Sequence, residues 1–140
     1  MEPAPQAPGA RQAHALRAFA IAPPLTALSY VLTVPPDPAN MFTSAQTVGP
    51  QFALLVAALR FYVVLAVVLA AVGLPLRALG AFRLWPLLGG TLVLAILIYI
   101  GLPLALDPAL AAELPRVAAA NLPVLAHIVG MSALYWWLRR

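Results

Sequence analysis

Long apolar runs, separated by short polar or proline-rich segments, occupy almost the whole of this chain. The clearest run is 51–74, which contains a single charged residue, Arg60. A helix rises about 1.5 Å per residue, so this run reaches about 36 Å, more than the roughly 30 Å hydrocarbon core of a bilayer. The pattern therefore predicts a membrane-spanning helix over 51–74.

Three further apolar runs predict spans of the same kind, at 16–34, 84–106 and 117–138. The first is the weakest, because Pro23 and Pro24 remove two backbone donors from its middle. We expect a helix that is kinked at, or entered through, the double proline; the alternative is a signal peptide cut after Ala45. Segment 1–15 is expected to be a disordered cytoplasmic tail, followed by a single transmembrane domain over 16–140.

The connections between these spans contain turn and capping signals. Residues 35–50 are rich in proline and also contain asparagine and glycine, which predicts a loop outside the hydrocarbon. Gly73 and Pro75 are expected to end the second span and to begin a short basic linker. Asp107 followed by Pro108 predicts a short capped helix between the third and fourth spans.

The composition indicates lipid as the solvent of the folded chain. Hydrophobic residues make up 64% and charged residues 9%, whereas charged residues make up about 25% of soluble domains. The net charge is +4, but the arginines occur singly or in pairs between apolar runs, which argues against a nucleic-acid-binding patch. Cysteine is absent, which excludes disulfides and thiolate chemistry.

The arginines predict the orientation of the chain. With both termini in the cytoplasm, the outer loops hold one arginine, Arg116, and the inner side holds six. These six are Arg11, Arg17, Arg77, Arg83, Arg139 and Arg140. All basic residues are arginine and none is lysine, which is typical of a GC-rich bacterial coding bias. We therefore expect an all-α, four-span transmembrane helical bundle in the bacterial cytoplasmic (inner) membrane, with N-terminus and C-terminus cytoplasmic.

Aromatic residues mark the expected inner interface. Phe82 and the pair Trp85-Pro86 lie in the basic linker and at the start of the third span, and the chain closes on Tyr135 to Arg140. Together with the long first outer loop, this order of elements resembles a group of small bacterial four-helix membrane proteins of unknown function. The resemblance covers most of the chain and implies a fold but no activity.

Arg60 is the residue that a bilayer would tolerate least. By helix rise it lies roughly 13 Å inside the second span, where an arginine costs about 2.5 to 3.5 kcal/mol. It could extend towards the outer interface or pair with Asp107, Asp37 or Glu113. The alternative is contact with a substrate, a lipid headgroup or an anion.

His127 is expected at nearly the same depth in the fourth span. A hydrogen bond to a neighbouring helix is the simplest role, and a proton relay or haem ligation in a symmetric dimer are alternatives. Pro103 frees the carbonyl of Tyr99, an acceptor that Arg60 could use. We therefore predict an intramembrane polar cluster of Arg60, His127 and Tyr99.

No motif of a known catalytic or phosphate-binding site occurs in the sequence. The expected function is that of a non-enzymatic interaction or accessory component, with no cofactor and no bound metal. Expected partners are membrane lipid and other membrane proteins or a second copy of the chain, and no nucleic acid. A small homo-oligomeric transporter or channel is the main alternative, and a haem-bearing electron-transfer subunit is another.

Overall fold

The computed structural model describes residues 8–34 and 50–140, which are 93% helical and contain no strand. Four long helices make up most of this part of the chain. They are α1 (Pro8–Thr33), α2 (Pro50–Ala78), α3 (Leu84–Leu106) and α4 (Leu114–Arg139). A short 3₁₀ helix, Pro108–Glu113, connects α3 to α4.

The four helices form a bundle in which α2 and α4 contact each other as well as both remaining helices. Helix α1 packs on α2 and α4, and α3 packs on the same two helices; α1 and α3 share no contact over the described residues. Gln12 near the start of α1, Arg77 near the end of α2 and Tyr135 near the end of α4 line one cavity. The first described residues and the last residues therefore lie at the same end of the bundle.

Apolar side chains fill the interior and also cover the exterior. Leu65, Leu87, Ile128 and Met131 are fully buried where the helices meet. A soluble bundle would present polar residues on its outer faces, yet all four helices expose large apolar side chains, among them Leu32 at 76%. All four are also long and apolar enough to cross a membrane. The fold is thus compatible with a multi-pass membrane protein.

Helix α1 begins at Pro8, so residues 8–15 of the predicted disordered tail are helical. Proline is tolerated in a first helical turn because its missing N–H has no intrahelical partner there. The residues that follow include alanine, arginine, glutamine and leucine, which favour helix. The remainder of the predicted tail, residues 1–7, lies outside the described part of the chain.

The double proline does not interrupt α1, which is helical from Pro8 to Thr33. Pro23 is fully buried, and Thr26 Oγ1 donates a 2.8 Å hydrogen bond to the Ala22 carbonyl beside it. Helix α1 packs on α2 and α4, and this packing compensates for the missing backbone donors. The predicted loop at 35–50 lies outside the described residues up to residue 49, and so does the alternative signal-peptide cut after Ala45.

Helix α2 continues past Pro75 to Ala78, so the predicted end at Gly73 and Pro75 is wrong. One proline in a helix removes only one hydrogen bond, and the three residues that follow it are good helix formers. The helix is terminated instead by the turn at Gly80, whose φ of 65° belongs to the left-handed region. The backbone N–H of Gly80 and of Ala81 donate to the carbonyls of Arg77 and Leu76 in a Schellman motif.

Helix α3 has the bounds predicted for the third span, 84–106. Its segment Leu97–Gly101 is π-helical, and Leu102 N–H donates to the Leu97 carbonyl. Pro103 cannot donate to the carbonyl of Tyr99, which accounts for the looser turn. Asp107 accepts a 3.1 Å hydrogen bond from Ala109 N–H, which confirms the predicted short capped helix. Helix α4 then starts at Leu114, slightly before the expected 117.

Candidate functional site

His127 lies in the middle of α4 and connects it to the end of α1. Its Nε2 is 3.3 Å from Thr33 Oγ1, and its Nδ1 is 2.7 Å from the carbonyl oxygen of Pro123. With the proton on Nδ1, that nitrogen donates to Pro123 and Nε2 accepts from the Thr33 hydroxyl. Thr33 shares its proton with a second acceptor, the Ser29 carbonyl oxygen at 2.7 Å. Both ring nitrogens of His127 therefore have partners.

Aromatic rings from α1 and α2 complete the surroundings of His127. The Tyr30 ring meets the imidazole edge-on, with centroids 5.3 Å apart, and packs on the Phe61 ring at 4.1 Å. Such pairs add about 0.5 to 1.5 kcal/mol beyond the area they bury. We refer to Tyr30, Thr33, Phe61 and His127 as the His127 cluster. It joins three of the four helices at one level of the bundle.

Arg60 directly precedes Phe61 in the sequence, but its side chain points out of the bundle. Phe61 is 7% exposed, whereas Arg60 is exposed, because successive residues of a helix point about 100° apart. No hydrogen bond, ion pair or cation–π contact within 8–34 and 50–140 involves Arg60. Of its expected partners, Glu113 instead pairs with Arg116 at 3.3 Å, and Asp37 lies outside these ranges.

Tyr99 lies in the π-helical segment of α3, where it is half-buried and packs against the apolar core. The three residues of the predicted polar cluster thus have different surroundings. His127 bonds to α1, Tyr99 packs on the core and Arg60 faces outward. The described contacts do not join them, and a single polar cluster of the three stays a prediction.

A buried pair of hydroxyls joins α3 and α4, which sequence reasoning missed. Ser132 Oγ donates a 2.9 Å hydrogen bond to Thr91 Oγ1, and Thr91 donates to the Leu87 carbonyl at 2.9 Å. Neither residue is exposed. Nearby, a Cβ added at Gly90 would come within 2.6 Å of Val72 Cγ1, so α2 approaches α3 closely there. Small and hydroxyl residues in an apolar run were the available signal for this contact.

A second group of polar side chains lies at the end of the bundle that contains Arg140. The Arg77 guanidinium donates a hydrogen bond to the Tyr135 hydroxyl. The Phe82 ring lies 5.1 Å from Arg77 Cζ and 4.1 Å from Arg139 Cζ, and it stacks on Trp136 with centroids 5.7 Å apart. We refer to these five residues as the arginine cluster. Its cation–π contacts tie the linker to α2 and α4.

The arginine cluster contains no acidic side chain. The two acids among the described residues lie elsewhere, since Asp107 caps the 3₁₀ helix and Glu113 pairs with Arg116. Sequence reasoning treated these arginines only as topology signals. The aromatic residues beside them, Phe82 and Tyr135, were the signal for the packed cluster.

Three side-chain hydrogen bonds among the described residues join different helices: Thr33 to His127, Arg77 to Tyr135 and Ser132 to Thr91. No group of three histidine or acidic side chains in 8–34 and 50–140 is placed to hold a metal ion. Comparison with protein-family models, with curated proteins and with solved structures finds no match to this chain. The resemblance to small bacterial four-helix membrane proteins therefore stays a prediction.

Proposed function

We propose that this chain is a multi-pass protein of the bacterial cytoplasmic membrane, with both termini in the cytoplasm. In this proposal it catalyses no reaction and acts as an accessory component that binds a partner membrane protein. The surface that binds the partner is the outward side of α2 around Arg60. The observation that carries the proposal is the exposure of this arginine between apolar residues of a helix long enough to span a bilayer.

The surroundings of Arg60 support this role. Leu59, Val63 and Val67 are exposed on neighbouring turns of α2, so the arginine lies in an otherwise apolar surface. A charge within a span usually has a partner or faces water, because an arginine at mid-helix costs about 2.5 to 3.5 kcal/mol. An acidic or amide side chain on a partner helix would supply that contact. The apolar residues of the partner helix would cover the apolar residues of α2.

A different explanation of Arg60 is that it reaches the membrane surface by itself. Helical side chains lean towards the helix N-terminus, and a long arginine can extend to the nearest interface. In that case Arg60 would have no binding role. The two explanations differ in what happens when the charge is removed, which the cross-linking experiment below exploits.

The remaining alternatives find less support in the geometry. A transport pathway through one copy would have to cross the layer of Leu65, Leu87 and Ile128, each fully buried. A homo-oligomeric transporter or channel would therefore need its pathway between copies. Haem ligation would need a free nitrogen on His127, but both its ring nitrogens face acceptors or donors of the protein itself.

The orientation is tested by single cysteines in this cysteine-free chain. In intact cells, an impermeant thiol reagent should label cysteines at Ser44 and Ala111, and it should not label one at Ala78. The opposite pattern would reverse the topology. Labelling at only one of the two outer sites would contradict a four-span arrangement.

The binding surface is tested by photo-cross-linking in native membranes. A photoreactive residue in place of Leu59, beside Arg60, should give one discrete adduct with a different protein. The adduct should disappear in Arg60→Leu and persist in Arg60→Lys, because lysine keeps the charge. A photoreactive residue in place of Val93, exposed at 58% on α3, is the matched control and should give none.

Three results would contradict this proposal. An unchanged adduct in Arg60→Leu would mean that the charge contributes nothing to binding. The same adduct from Val93 would mean that cross-linking is unspecific. An adduct of twice the mass of the chain would favour a homo-oligomer instead.

A further inference from the structure

An open groove runs between α1 and α2 at the end of the bundle that contains the arginine cluster. Its volume is about 370 Å³, which lies within the roughly 300 to 1,000 Å³ range of ligand pockets. Leu16 and Phe19 of α1 form one wall, and Leu69 and Leu74 of α2 form the other. The groove is a feature of its own, since Arg60 and the partner surface proposed above do not line it.

The groove changes from polar to apolar along its length. Gln12, Arg77 and Tyr135 lie at the end of the bundle, and Phe19 and Leu69 lie deeper along the same two helices. From Gln12 to Phe19, or from Arg77 to Leu69, the helix rise gives about 10 to 12 Å. A molecule with an anionic head and an apolar tail matches this change in polarity.

Among the described residues, the charged side chains that contact the Phe82 ring at the polar end are all arginines. Arg77 lines the groove and is exposed, so only part of its fork of donors is occupied by the Tyr135 hydroxyl. Arg139 contacts the same Phe82 ring as Arg77, with its Cζ 4.1 Å from the ring centroid. The described acids lie away from this cluster. Two guanidinium groups with no carboxylate partner within 8–34 and 50–140 favour a phosphate ester.

We propose that this groove is a selective site for one anionic phospholipid. An acyl chain lies between α1 and α2, and the phosphate accepts hydrogen bonds from Arg77, with Arg139 adding to the positive potential. Arg77 is held for this role by the Tyr135 hydroxyl, which fixes its guanidinium at the rim of the groove. Lipids with a neutral headgroup would fill the apolar part but would be held less firmly.

Native mass spectrometry of the full chain in a mild detergent tests the site directly. The probes are phosphatidylglycerol and phosphatidylcholine with identical acyl chains, added at equal concentration. One arginine near an anionic headgroup contributes about 1 kcal/mol, which corresponds to about a fivefold change in affinity. We expect phosphatidylglycerol to be retained at least that much more strongly, and Arg77→Gln to remove the difference.

Two further variants separate the site from general charge effects. Arg83→Gln removes the same charge from an exposed residue at the same end that does not line the groove, and it should bind like the unmodified chain. Ala70→Phe fills the groove without changing charge and should weaken retention of both lipids. Ala70→Phe also keeps the proposal testable if Arg77→Gln fails to fold.

Four outcomes would overturn the proposal. Equal retention of the two lipids would remove the selectivity, and equal loss in Arg83→Gln and Arg77→Gln would make the effect one of diffuse charge. Unchanged lipid retention in Ala70→Phe would exclude the groove. Finally, glycerol phosphate that displaces phosphatidylglycerol at equal concentration would show a site for free phosphate esters rather than for a lipid.

Discussion

Arg60 and Arg77 lie on the same helix, but their guanidinium groups have different surroundings. Arg77 donates to the Tyr135 hydroxyl and lies over the Phe82 ring, with its Cζ 5.1 Å from the centroid. Arg60 faces outward between apolar side chains and has no hydrogen bond to a side chain in the described ranges. By helix rise the two lie about 26 Å apart along α2.

The difference comes from the side chains that can contact each arginine. Helix α2 ends just after Arg77, and the turn at Gly80 returns Phe82 to its side. Arg60 lies well inside the helix, where only neighbouring helices can supply a partner, and the side facing α1 is taken by Phe61. In one helix, an arginine near the end thus holds neighbouring elements together, and an arginine in the middle is exposed with no ion pair among the described residues.

Replacement of Phe82 should produce the largest loss of stability, since its ring contacts both arginines of the arginine cluster and Trp136. We expect Phe82→Ala to lower the free energy of unfolding by about 2 kcal/mol, less than for a fully buried phenylalanine because this one is half-buried. Titration with a denaturing detergent, followed by circular dichroism, measures the change.

Phe52→Ala is the matched control, because Phe52 is a phenylalanine of α2 that is 48% exposed. It should change the free energy of unfolding by less than about 0.5 kcal/mol. If the two variants were equally stable, the Phe82 ring would not hold the arginine cluster together, and the contrast between Arg77 and Arg60 would lose its structural basis.

The next largest effect is expected from the hydroxyl that holds Arg77. Tyr135→Phe keeps the buried ring but removes the acceptor, which should lower the free energy of unfolding by about 1 kcal/mol. Tyr62→Phe, on the same helix as Arg77, removes a hydroxyl that has no described hydrogen-bond partner and should be nearly neutral. Equal effects of the two changes would mean that the Arg77 to Tyr135 bond adds no stability.

The sequence predicts the apolar helices better than it predicts their faces. The end of α3 and the cap at Asp107 follow from local signals, because Asp107 and Pro108 directly follow the apolar run. The sequence does not identify the buried side of α2, because a helix that is apolar on all sides has no hydrophobic stripe. Whether Arg60 or Phe61 faces α1 depends on packing that the pattern does not contain.

The contacts of His127 and Arg77 were hidden from the sequence for two different reasons. Thr33 and His127 are far apart in the chain, and no spacing rule connects a threonine at one helix end to a histidine in the middle of another. Arg77 was assigned to a linker because Pro75 precedes it, and the continuation of α2 to Ala78 is what aims it at Tyr135.

The smallest expected effect is the coupling between Arg60 and His127, which tests whether the predicted polar cluster exists. His127→Leu removes the hydrogen bond to Thr33 and should lower the free energy of unfolding by about 1 kcal/mol. Arg60→Leu in the isolated chain removes an outward-facing charge and should be neutral or slightly stabilising in detergent.

A double-mutant cycle on these two changes measures their interaction directly. Because Arg60 faces outward while His127 bonds inward to α1, we expect the two effects to add within about 0.5 kcal/mol. A coupling energy above about 1 kcal/mol would mean that the guanidinium reaches the His127 cluster, as the sequence predicted. Arg60 would then be held by contacts within the bundle, as Arg77 is, and the partner surface proposed for α2 would lose the residue that carries it.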